Sequence, residues 1–240
     1  MRSSLSAPPD WLTARPYAHR GLHGPGRLEN SRAAFEAAIA AGFGIELDVQ
    51  VTAEGAAVVF HDYDLARLTG GQGRVDTLTL AALQGQRLNG LDETISSLPD
   101  ILALIAGRTP LLVEIKNPAG AIGPLCRAVA AAVDTYHGAV AIMSFNPRIP
   151  RWFARHRPHL TRGLVVTERD KGDLRGRIAR HLSRRLARPH FLAYDVRDLP
   201  SRFAATSRLP VLTWTVRSQD DEARAASHAD QIIHEIPRYR

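Results

Sequence analysis

The sequence predicts a (β/α)8 barrel that forms a single domain over residues 1–240. Three observations predict this fold class: the chain has 240 residues, which is close to the usual size of one such barrel; short apolar runs alternate with segments of helical periodicity; and there are eight such runs. Apolar strands followed by amphipathic helices are typical of a parallel sheet whose outer face is covered by helices. Eight repeats predict that the sheet closes into a barrel.

The elements follow from the position of each apolar run and of each amphipathic segment between them. Strands are predicted at residues 16–21, 44–52, 111–116, 140–145, 163–166, 191–196, 211–216 and 231–234. Helices are predicted at residues 31–41, 98–106, 119–133, 147–157 and 219–227.

One segment departs from the repeat. The apolar run at residues 57–61 follows the second strand too closely for a helical crossover, so a β-hairpin is predicted there. With Glu54 and Gly55 as the two central residues of its turn, Asp48 is paired with His61. Opposed residues point to the same face of a sheet, so these two side chains are expected side by side. Residues 62–97 are predicted to be a short insertion over the barrel mouth.

The charge of the chain favours anionic partners. The formal net charge is +7 and the pI is about 10.3, which suit phosphate esters, acidic membrane surfaces or nucleic acid without choosing among them. The lone cysteine, Cys126, excludes an intrachain disulfide, and residues 1–10 lack the apolar run of a signal peptide or membrane helix. These features predict a cytoplasmic protein without a transmembrane segment and leave the oligomeric state open.

Carboxylates interrupt two of the predicted strands. Glu46 and Asp48 are two residues apart and therefore share a face, and Glu114 shares a face with Lys116 on the third strand of the barrel. Three convergent carboxylates in an apolar barrel predict one bound divalent cation, and oxygen ligands favour Mg2+ or Ca2+, or else Mn2+. The alternative is that these carboxylates are solvated strand ends or partners of arginines.

Basic side chains are expected at the same rim. His19 and Arg20 end the first strand, where barrel enzymes build their sites, and the hairpin brings His61 to it. Paired imidazoles suit general acid and base catalysis near neutral pH, whereas Arg20 and Lys116 suit contacts to a phosphate. A salt bridge to Glu114 or to another acidic residue is the other role open to Lys116. Glu29 is expected to orient the histidine or the arginine, and Asn30 or Ser31 is expected to cap the following helix.

These segments together resemble the glycerophosphodiester phosphodiesterase family, of the phospholipase C-like phosphodiesterase superfamily. The resemblance rests on an ordered set of motifs between Tyr17 and Val216. They are His19-Arg20-Gly21, Glu29-Asn30-Ser31, Ile45-Glu46-Leu47-Asp48-Val49, Thr52 through Gly55, Val58-Val59-Phe60-His61-Asp62, Val113-Glu114-Ile115-Lys116, Ser144-Phe145 and Trp214-Thr215-Val216.

The resemblance implies a metal-dependent hydrolase that converts glycerophosphodiesters to glycerol 3-phosphate and an alcohol. It implies that Glu46, Asp48 and Glu114 hold the metal and that His19 and His61 serve as general acid and base, in an order left open. In this scheme a glycerol hydroxyl attacks phosphorus, the alcohol leaves, and water opens the cyclic phosphate. Trp214 resembles the aromatic wall for the glycerol end, although a core role is equally open.

The chain departs from the family pattern at one place. Members commonly carry an aspartate after the last strand, where this chain has His234-Glu235-Ile236-Pro237, so Glu235 is the expected substitute. The short insertion at residues 62–97 implies a small cap or none, which leaves the preferred alcohol open.

Two other functions remain open from the sequence. One is a lysophospholipase D or sphingomyelinase D-like lipid phosphodiesterase, although residues 62–97 offer no exposed apolar loop for acyl chains. The other is a non-catalytic binder of anions or nucleic acid, suggested by the arginine-rich stretch at residues 169–188, where Ile178, Leu182 and Leu186 recur at helical spacing. For this stretch a solvated outer helix of the barrel is preferred, with at most a weak contact to a membrane surface.

Overall fold

The computed structural model describes residues 7–117 and 121–235. Eight parallel strands that alternate with helices confirm the predicted (β/α)8 barrel, with two further strands outside the set of eight. By their internal contacts the described residues group into two compact units, one of residues 18–117 and 121–140 and the other of residues 7–17 and 141–235. The extent of the domain, 1–240, stays a prediction.

The unit of residues 18–140 is built around one strand. It contains β1 (Tyr17–His19, whose first residue belongs to the other unit), α1 (Arg32–Ala40), β2 (Gly44–Val51), β3 (Ala57–Val59), α2 (Ala66–Thr69), α3 (Leu80–Gln84), β4 (Ser96–Ser97), α4 (Leu98–Ile105), β5 (Leu111–Ile115) and α5 (Gly123–Asp134). Strand β2 pairs with β1, runs parallel to β5 and antiparallel to β3, and β3 in turn pairs with β4. Strands β2 and β5 are buried along almost their whole length, and the polar residues Glu46, Asp48 and Gln50 occupy every second position of β2.

The predicted hairpin is present, but its predicted register is wrong by one residue. Val49 pairs with Val59, Val51 with Ala57, and the next pair is Thr52 with Ala56, which leaves a three-residue loop (53–55) rather than a two-residue turn. The loop closes with a hydrogen bond from the Thr52 N–H to the Ala56 carbonyl (2.9 Å), and its last residue, Gly55, has φ of +89°. Both loop lengths are common in hairpins, and a glycine suits either, so the sequence did not distinguish them.

The shifted register changes what lies opposite the carboxylates of β2. The residue across from Asp48 is Phe60, whose N–H donates to the Asp48 carbonyl (3.1 Å). His61 is therefore the first residue beyond the paired segment and is positioned by other contacts.

The insertion at residues 62–97 is a compact element with its own apolar core. Helices α2 and α3 and strand β4 lie within it, and no large hydrophobic side chain of this segment is exposed. The carboxylate of Glu93 accepts hydrogen bonds from the backbone N–H groups of Arg32 (2.7 Å) and Ala33 (3.3 Å) at the start of α1, where a negative charge is favourable. The buried core of the insertion and its hairpin consists of Val58, Phe60, Leu65, Leu68, Val75, Leu83, Leu88 and Ile95.

The unit of residues 7–17 and 141–235 repeats strand and helix regularly. It contains β6 (Val140–Ser144, whose first residue belongs to the other unit), α6 (Arg148–His156), β7 (Thr161–Val166), α7 (Leu174–Ala187), β8 (Phe191–Asp195), α8 (Arg202–Ser207), β9 (Val211–Val216), α9 (Gln219–His228) and β10 (Gln231–His234). These strands pair in chain order and in parallel. Within the described parts of the chain, no helix is both long and apolar enough to cross a membrane.

Candidate active site

A tight turn at the end of β1 brings His19 and Arg20 to the carboxylates of β2. Arg20 and Gly21 both have positive φ, +57° and +80°, and a Cβ atom added to Gly21 would lie 2.9 Å from Ala34 Cβ, so this turn requires glycine. The turn places His19 Nε2 3.9 Å from Glu46 Oε2, and the Arg20 N–H donates to the same oxygen (3.0 Å).

The three predicted carboxylates converge on one point. Asp48 and Glu114 are paired across β2 and β5, and one oxygen from each of Glu46, Asp48 and Glu114 lies within 4.8 Å of the others. Their relative exposures are only 1%, 1% and 9%. Glu46 Oε1 is buried and has no hydrogen-bond partner among the described residues. Since an unpaired buried carboxylate oxygen is costly, this oxygen-rich cluster fits a hard divalent cation.

Burial and mutual repulsion disfavour three negative charges at this point. Burial raises the pKa of Glu46 well above its usual value, and the charges of Asp48 and Glu114 raise it further. Burial also raises the pKa of Glu114 to about 7, against the opposing effect of Lys116. Burial would raise the pKa of Asp48 as well, but Lys116 and Arg20 lower it below the usual range. A bound cation would let all three groups ionise together.

Lys116 lies between two of these carboxylates. Its Nζ is 3.5 Å from Asp48 Oδ1 and 3.5 Å from Glu114 Oε1, so the salt-bridge alternative considered from the sequence is formed. Burial alone would lower the pKa of Lys116, but the charges of Glu114 and Asp48 raise it, which keeps the ammonium group charged. Arg20 adds a second cation, with its Nε 3.2 Å from Asp48 Oδ2.

His61 is positioned by the polypeptide that follows the hairpin. Its Nδ1 lies 2.6 Å from Asp62 Oδ1, and the Gln50 amide donates to the carbonyls of Phe60 (2.9 Å), His61 (3.1 Å) and Asp62 (2.6 Å). Burial lowers the pKa of His61 below its usual value. The negative charge of Asp48 raises this pKa, whereas the positive charges of Arg20 and Lys116 lower it, and the net effect is a lowered pKa. A neutral imidazole with Nδ1–H directed at Asp62 leaves Nε2 available for proton transfer.

Glu29 forms one of the contacts expected of it. Its Oε1 accepts a hydrogen bond from Arg20 Nη1 (2.7 Å). Sequence reasoning missed the residue that completes this network, Arg67 on α2, which donates to both Glu29 oxygens (2.8 and 2.9 Å) and through Nε to Asp62 Oδ2 (2.5 Å). Arg67 therefore links the carboxylate that holds Arg20 to the one that holds His61.

Asn30 is a second residue whose site contacts the sequence did not reveal. The helix cap is Ser31, whose Oγ accepts from the Ala34 N–H (3.1 Å), whereas Asn30 faces Asp48. Its amide donates to Asp48 Oδ2 (3.0 Å) and its carbonyl oxygen accepts from the Asp48 N–H (3.2 Å). An asparagine beside a serine at the start of a helix favours a capping role, and no sequence spacing indicates its contact with Asp48.

Two predicted residues, Trp214 and Glu235, lie in the unit that contains residues 141–235. Trp214 on β9 donates from Nε1 to the Ala193 carbonyl (2.9 Å) and meets Phe145 edge to face, with ring centroids 5.5 Å apart. Its role toward glycerol stays a prediction. The Glu235 carboxylate binds Arg217 (2.6 and 3.0 Å), and Ile236 and Pro237 lie outside the described residues.

Comparison with solved structures identifies the same fold in phosphodiesterases. A phosphodiesterase of Oleispira antarctica, in complex with the product sn-glycerol-3-phosphate, superposes with a TM-score of 0.79 at 20% identity, over 91% of this chain and 92% of that one. A putative glycerophosphoryl diester phosphodiesterase of Silicibacter pomeroyi gives a TM-score of 0.80 at 25% identity, over 93% and 90% of the two chains.

Sequence comparison identifies curated relatives over part of their length. A glycerophosphodiester phosphodiesterase of Caldanaerobacter subterraneus subsp. tengcongensis is 34% identical over 160 residues, which is 62% of this chain and 65% of that protein. A probable glycerophosphodiester phosphodiesterase of Mycobacterium tuberculosis is 35% identical over 132 residues, 55% of this chain and 48% of that protein. The match thus spans less than two thirds of these relatives.

The model of the glycerophosphoryl diester phosphodiesterase family matches residues 19–232. This range includes both histidines, both cations and all three carboxylates of the site described above. The chain therefore belongs to the glycerophosphoryl diester phosphodiesterase family.

Proposed function

We propose that this protein hydrolyses glycerophosphodiesters to glycerol 3-phosphate and an alcohol in a reaction that depends on a divalent cation. The observation that carries the proposal is the convergence of Glu46, Asp48 and Glu114, with one buried oxygen unpaired, beside Arg20 and Lys116. Family membership supplies the reaction class. The relative that is named as a product complex contains sn-glycerol-3-phosphate, which fits the same class.

The three carboxylates would hold the cation, with Mg2+, Ca2+ or Mn2+ as candidates. When bound, the cation supplies Lewis-acid stabilisation of charge on a phosphoryl oxygen. Arg20 and Lys116 would bind further phosphoryl oxygens. In the absence of a cation both side chains pair with the carboxylates of the cluster, and a bound cation would neutralise these carboxylates and free both side chains for the phosphate. Asn30 holds the backbone and side chain of Asp48 in place, so this ligand needs little reorganisation.

His19 and His61 would move the protons. In the first step one imidazole accepts the proton of the glycerol hydroxyl adjacent to the phosphodiester as that oxygen attacks phosphorus, and the other donates a proton to the departing alcohol oxygen. In the second step water adds to the cyclic phosphate, and the two imidazoles exchange their roles. His61 suits this exchange because Asp62 orients its Nδ1 and its pKa is lowered.

The direct test is release of glycerol 3-phosphate from glycerophosphocholine and glycerophosphoethanolamine. We expect no turnover in EDTA and recovery when Mg2+, Ca2+ or Mn2+ is added back. The metal that restores turnover at the lowest concentration identifies the native candidate. Absence of turnover with every substrate and metal would contradict the proposal.

A second candidate is a lysophospholipase D reaction. A mouse lysophospholipase D is 35% identical to this chain over 113 residues, which is 42% of the chain. The insertion argues against it, because residues 62–97 expose no large hydrophobic side chain that could receive an acyl chain. Release of choline from lysophosphatidylcholine at a higher kcat/KM than from glycerophosphocholine would favour this second candidate.

A further inference from the structure

Helix α7 exposes its large aliphatic side chains. Leu174, Ile178, Leu182 and Leu186 are 64%, 50%, 59% and 42% exposed, and among the described residues the one other large hydrophobic side chain of comparable exposure is Phe145. The four residues follow one another at intervals of four, so they form one stripe about 18 Å long on a single face of the helix. A continuous exposed apolar stripe of this kind indicates a binding surface.

The inward face of α7 explains why these side chains remain outside. The buried residues of the helix are Gly176, Arg180 and Ala187. A Cβ atom on Gly176 would lie 2.1 Å from the Lys171 carbonyl oxygen, so the backbone packs too closely to admit a large side chain. Arg180 binds Glu168 Oε2 (2.8 Å) and the Lys171 carbonyl (2.8 Å). Small residues and polar contacts therefore attach the helix, and its amphipathicity is reversed relative to an ordinary outer helix of a barrel.

The charged side chains on the exposed face of α7 are all positive. The sequence of α7, LRGRIARHLSRRLA, contains five arginines and no acidic residue. Arg180 is buried and pairs with Glu168, and Arg184 donates to the Ser207 carbonyl (3.0 Å). Arg175, Arg177 and Arg185 are exposed and form no ion pair with a described residue. They lie on or beside the aliphatic stripe, where guanidinium groups can form paired hydrogen bonds to phosphate.

We propose that the exposed face of α7 docks on the surface of an anionic phospholipid bilayer. The four aliphatic side chains would enter the boundary between headgroups and acyl chains, and Arg175, Arg177 and Arg185 would bind lipid phosphates. This arrangement is that of an amphipathic helix lying in the membrane interface. A partner with negative charge is required, because the apolar stripe carries cations along its length and no anion.

Charge argues against a second copy of this chain as the occupant. Pairing two α7 stripes face to face would bring the exposed arginines of both helices together with no acidic side chain of α7 between them. Such like-charge contacts are unfavourable across an interface. A bilayer containing acidic lipids offers both an apolar layer and a dense array of phosphates.

The test is co-sedimentation of the whole protein with vesicles of phosphatidylcholine alone and with about 30% phosphatidylglycerol, a strongly anionic surface. We expect binding to the anionic vesicles, weakened by salt, and at least about tenfold weaker binding to the neutral ones. The double variant Ile178→Gln, Leu182→Gln should lose at least about tenfold in affinity, and Arg177→Gln, Arg185→Gln about fivefold per arginine. All four positions are exposed, so both variants should fold normally, as circular dichroism would verify.

Matched controls separate this face from general charge and general hydrophobicity. Arg127→Gln, Arg202→Gln removes the same charge from exposed positions outside α7, and Ile178→Met, Leu182→Met keeps the stripe apolar, so both should bind like the original chain. Equal binding to neutral and anionic vesicles, equal loss in the Arg127 and Arg202 control, or no binding at all would overturn the proposal. Self-association in sedimentation velocity that the Gln variants of the stripe abolish would assign the face to a second copy instead.

A label would verify the depth of the stripe. Cys126 is the sole cysteine and is buried, so Leu182→Cys can be labelled selectively with an environment-sensitive fluorophore. Anionic vesicles should shift its emission to the blue, whereas the same label on Arg202→Cys should not respond. No shift at position 182 would exclude insertion of the stripe.

Discussion

Carboxylates withdrawn from solvent occur in two regions of this molecule, fully buried in one and partly buried in the other, and their surroundings differ. In the unit of residues 18–140, Glu46, Asp48 and Glu114 crowd together and Glu46 Oε1 lacks a partner among the described residues. In the unit that contains residues 141–235, Glu168 follows β7 with every oxygen satisfied: Oε1 accepts from Tyr194 and from Ser201 (2.5 Å), and Oε2 accepts from Arg180 (2.8 Å).

The pKa values show the same contrast. Burial raises the pKa of Glu46 and of Glu114, and neighbouring carboxylates add to it. Burial would also raise the pKa of Glu168, but Ser201, Tyr194 and Arg180 lower it below the usual range. A carboxylate whose oxygens all have hydrogen-bond or ion-pair partners in the protein stabilises the fold. A cluster of carboxylates that repel one another is instead suited to binding a cation from solution. The following experiments test this distinction.

The largest effect is expected from the crowded cluster. Glu46→Gln or Glu114→Gln should lower turnover by about a thousandfold or more, because each change removes a proposed metal ligand. The metal-free protein should lose no stability, since a buried repulsive charge disappears. Thermal melts with and without Mn2+ check this, and the rise in Tm with metal should vanish. Ordinary turnover in either variant would remove the cluster from the reaction.

Replacement of a proposed proton carrier should separate chemistry from metal binding. His61→Ala should lower kcat by about a hundredfold to ten-thousandfold, while the rise in Tm with metal remains. His137→Ala, at an exposed position, is the matched control and should keep full turnover. Full activity of His61→Ala would show that His61 has no catalytic role.

The matched carboxylate should respond in stability rather than in metal binding. Glu168→Gln leaves the buried Arg180 guanidinium without its anionic partner and should lower the free energy of unfolding by about 3 kcal/mol. Urea denaturation measures this loss. Glu36→Gln, which breaks an exposed pair with Arg108, should cost far less than Glu168→Gln. If Glu168→Gln instead abolished the effect of metal on Tm, the distinction between the two regions would fail.

The network that surrounds the crowded cluster should show coupling. Arg67→Gln and Asp62→Asn should each lower kcat by about tenfold, with little change in stability because Arg67 is half exposed. Since Arg67 acts partly through Asp62, the double variant should lose less than the product of the two single effects. Simple multiplication of the two losses would show that Arg67 and Asp62 act independently.

The smallest effect is expected for the dependence of stability on pH, through His190 in the unit that contains residues 141–235. Burial, together with the smaller effect of the nearby charge of Arg162, lowers the pKa of His190 from 6.5 to about 4. The unfolded chain then binds a proton that the folded chain excludes, so stability is intact above the unfolded pKa and falls as the pH drops toward 4. Unfolding at about pH 5.5 should cost about 1 kcal/mol less than at about pH 7. His190→Asn, which retains an acceptor for the Arg162 N–H, should flatten this dependence.

Much of the fold could be predicted because buried parallel strands carry a local signal. All eight predicted barrel strands lie within two residues of the observed ones, and five of the helices were found from amphipathic periodicity. Helix α8 was missed, since its six residues are too few for a period to be visible. The hairpin register failed because turn length, which a single glycine does not specify, decides which residues face each other.

The sequence by itself determined which side chains of β2 and β5 could converge, because residues two apart on a strand share a face, and the ordered motifs indicated the family. Tertiary structure alone decided which residues hold these side chains in place and which way helix α7 faces. Asn30 binds Asp48 across 18 residues, Arg67 binds Glu29 across 38, and α7 turns its aliphatic residues outward. These features depend on strand register, loop path and the closeness of packing at Gly176, which are properties of the assembled chain. The helical spacing of Ile178, Leu182 and Leu186 is visible in the sequence, but the direction in which that face points is not, because any amphipathic helix has the same period.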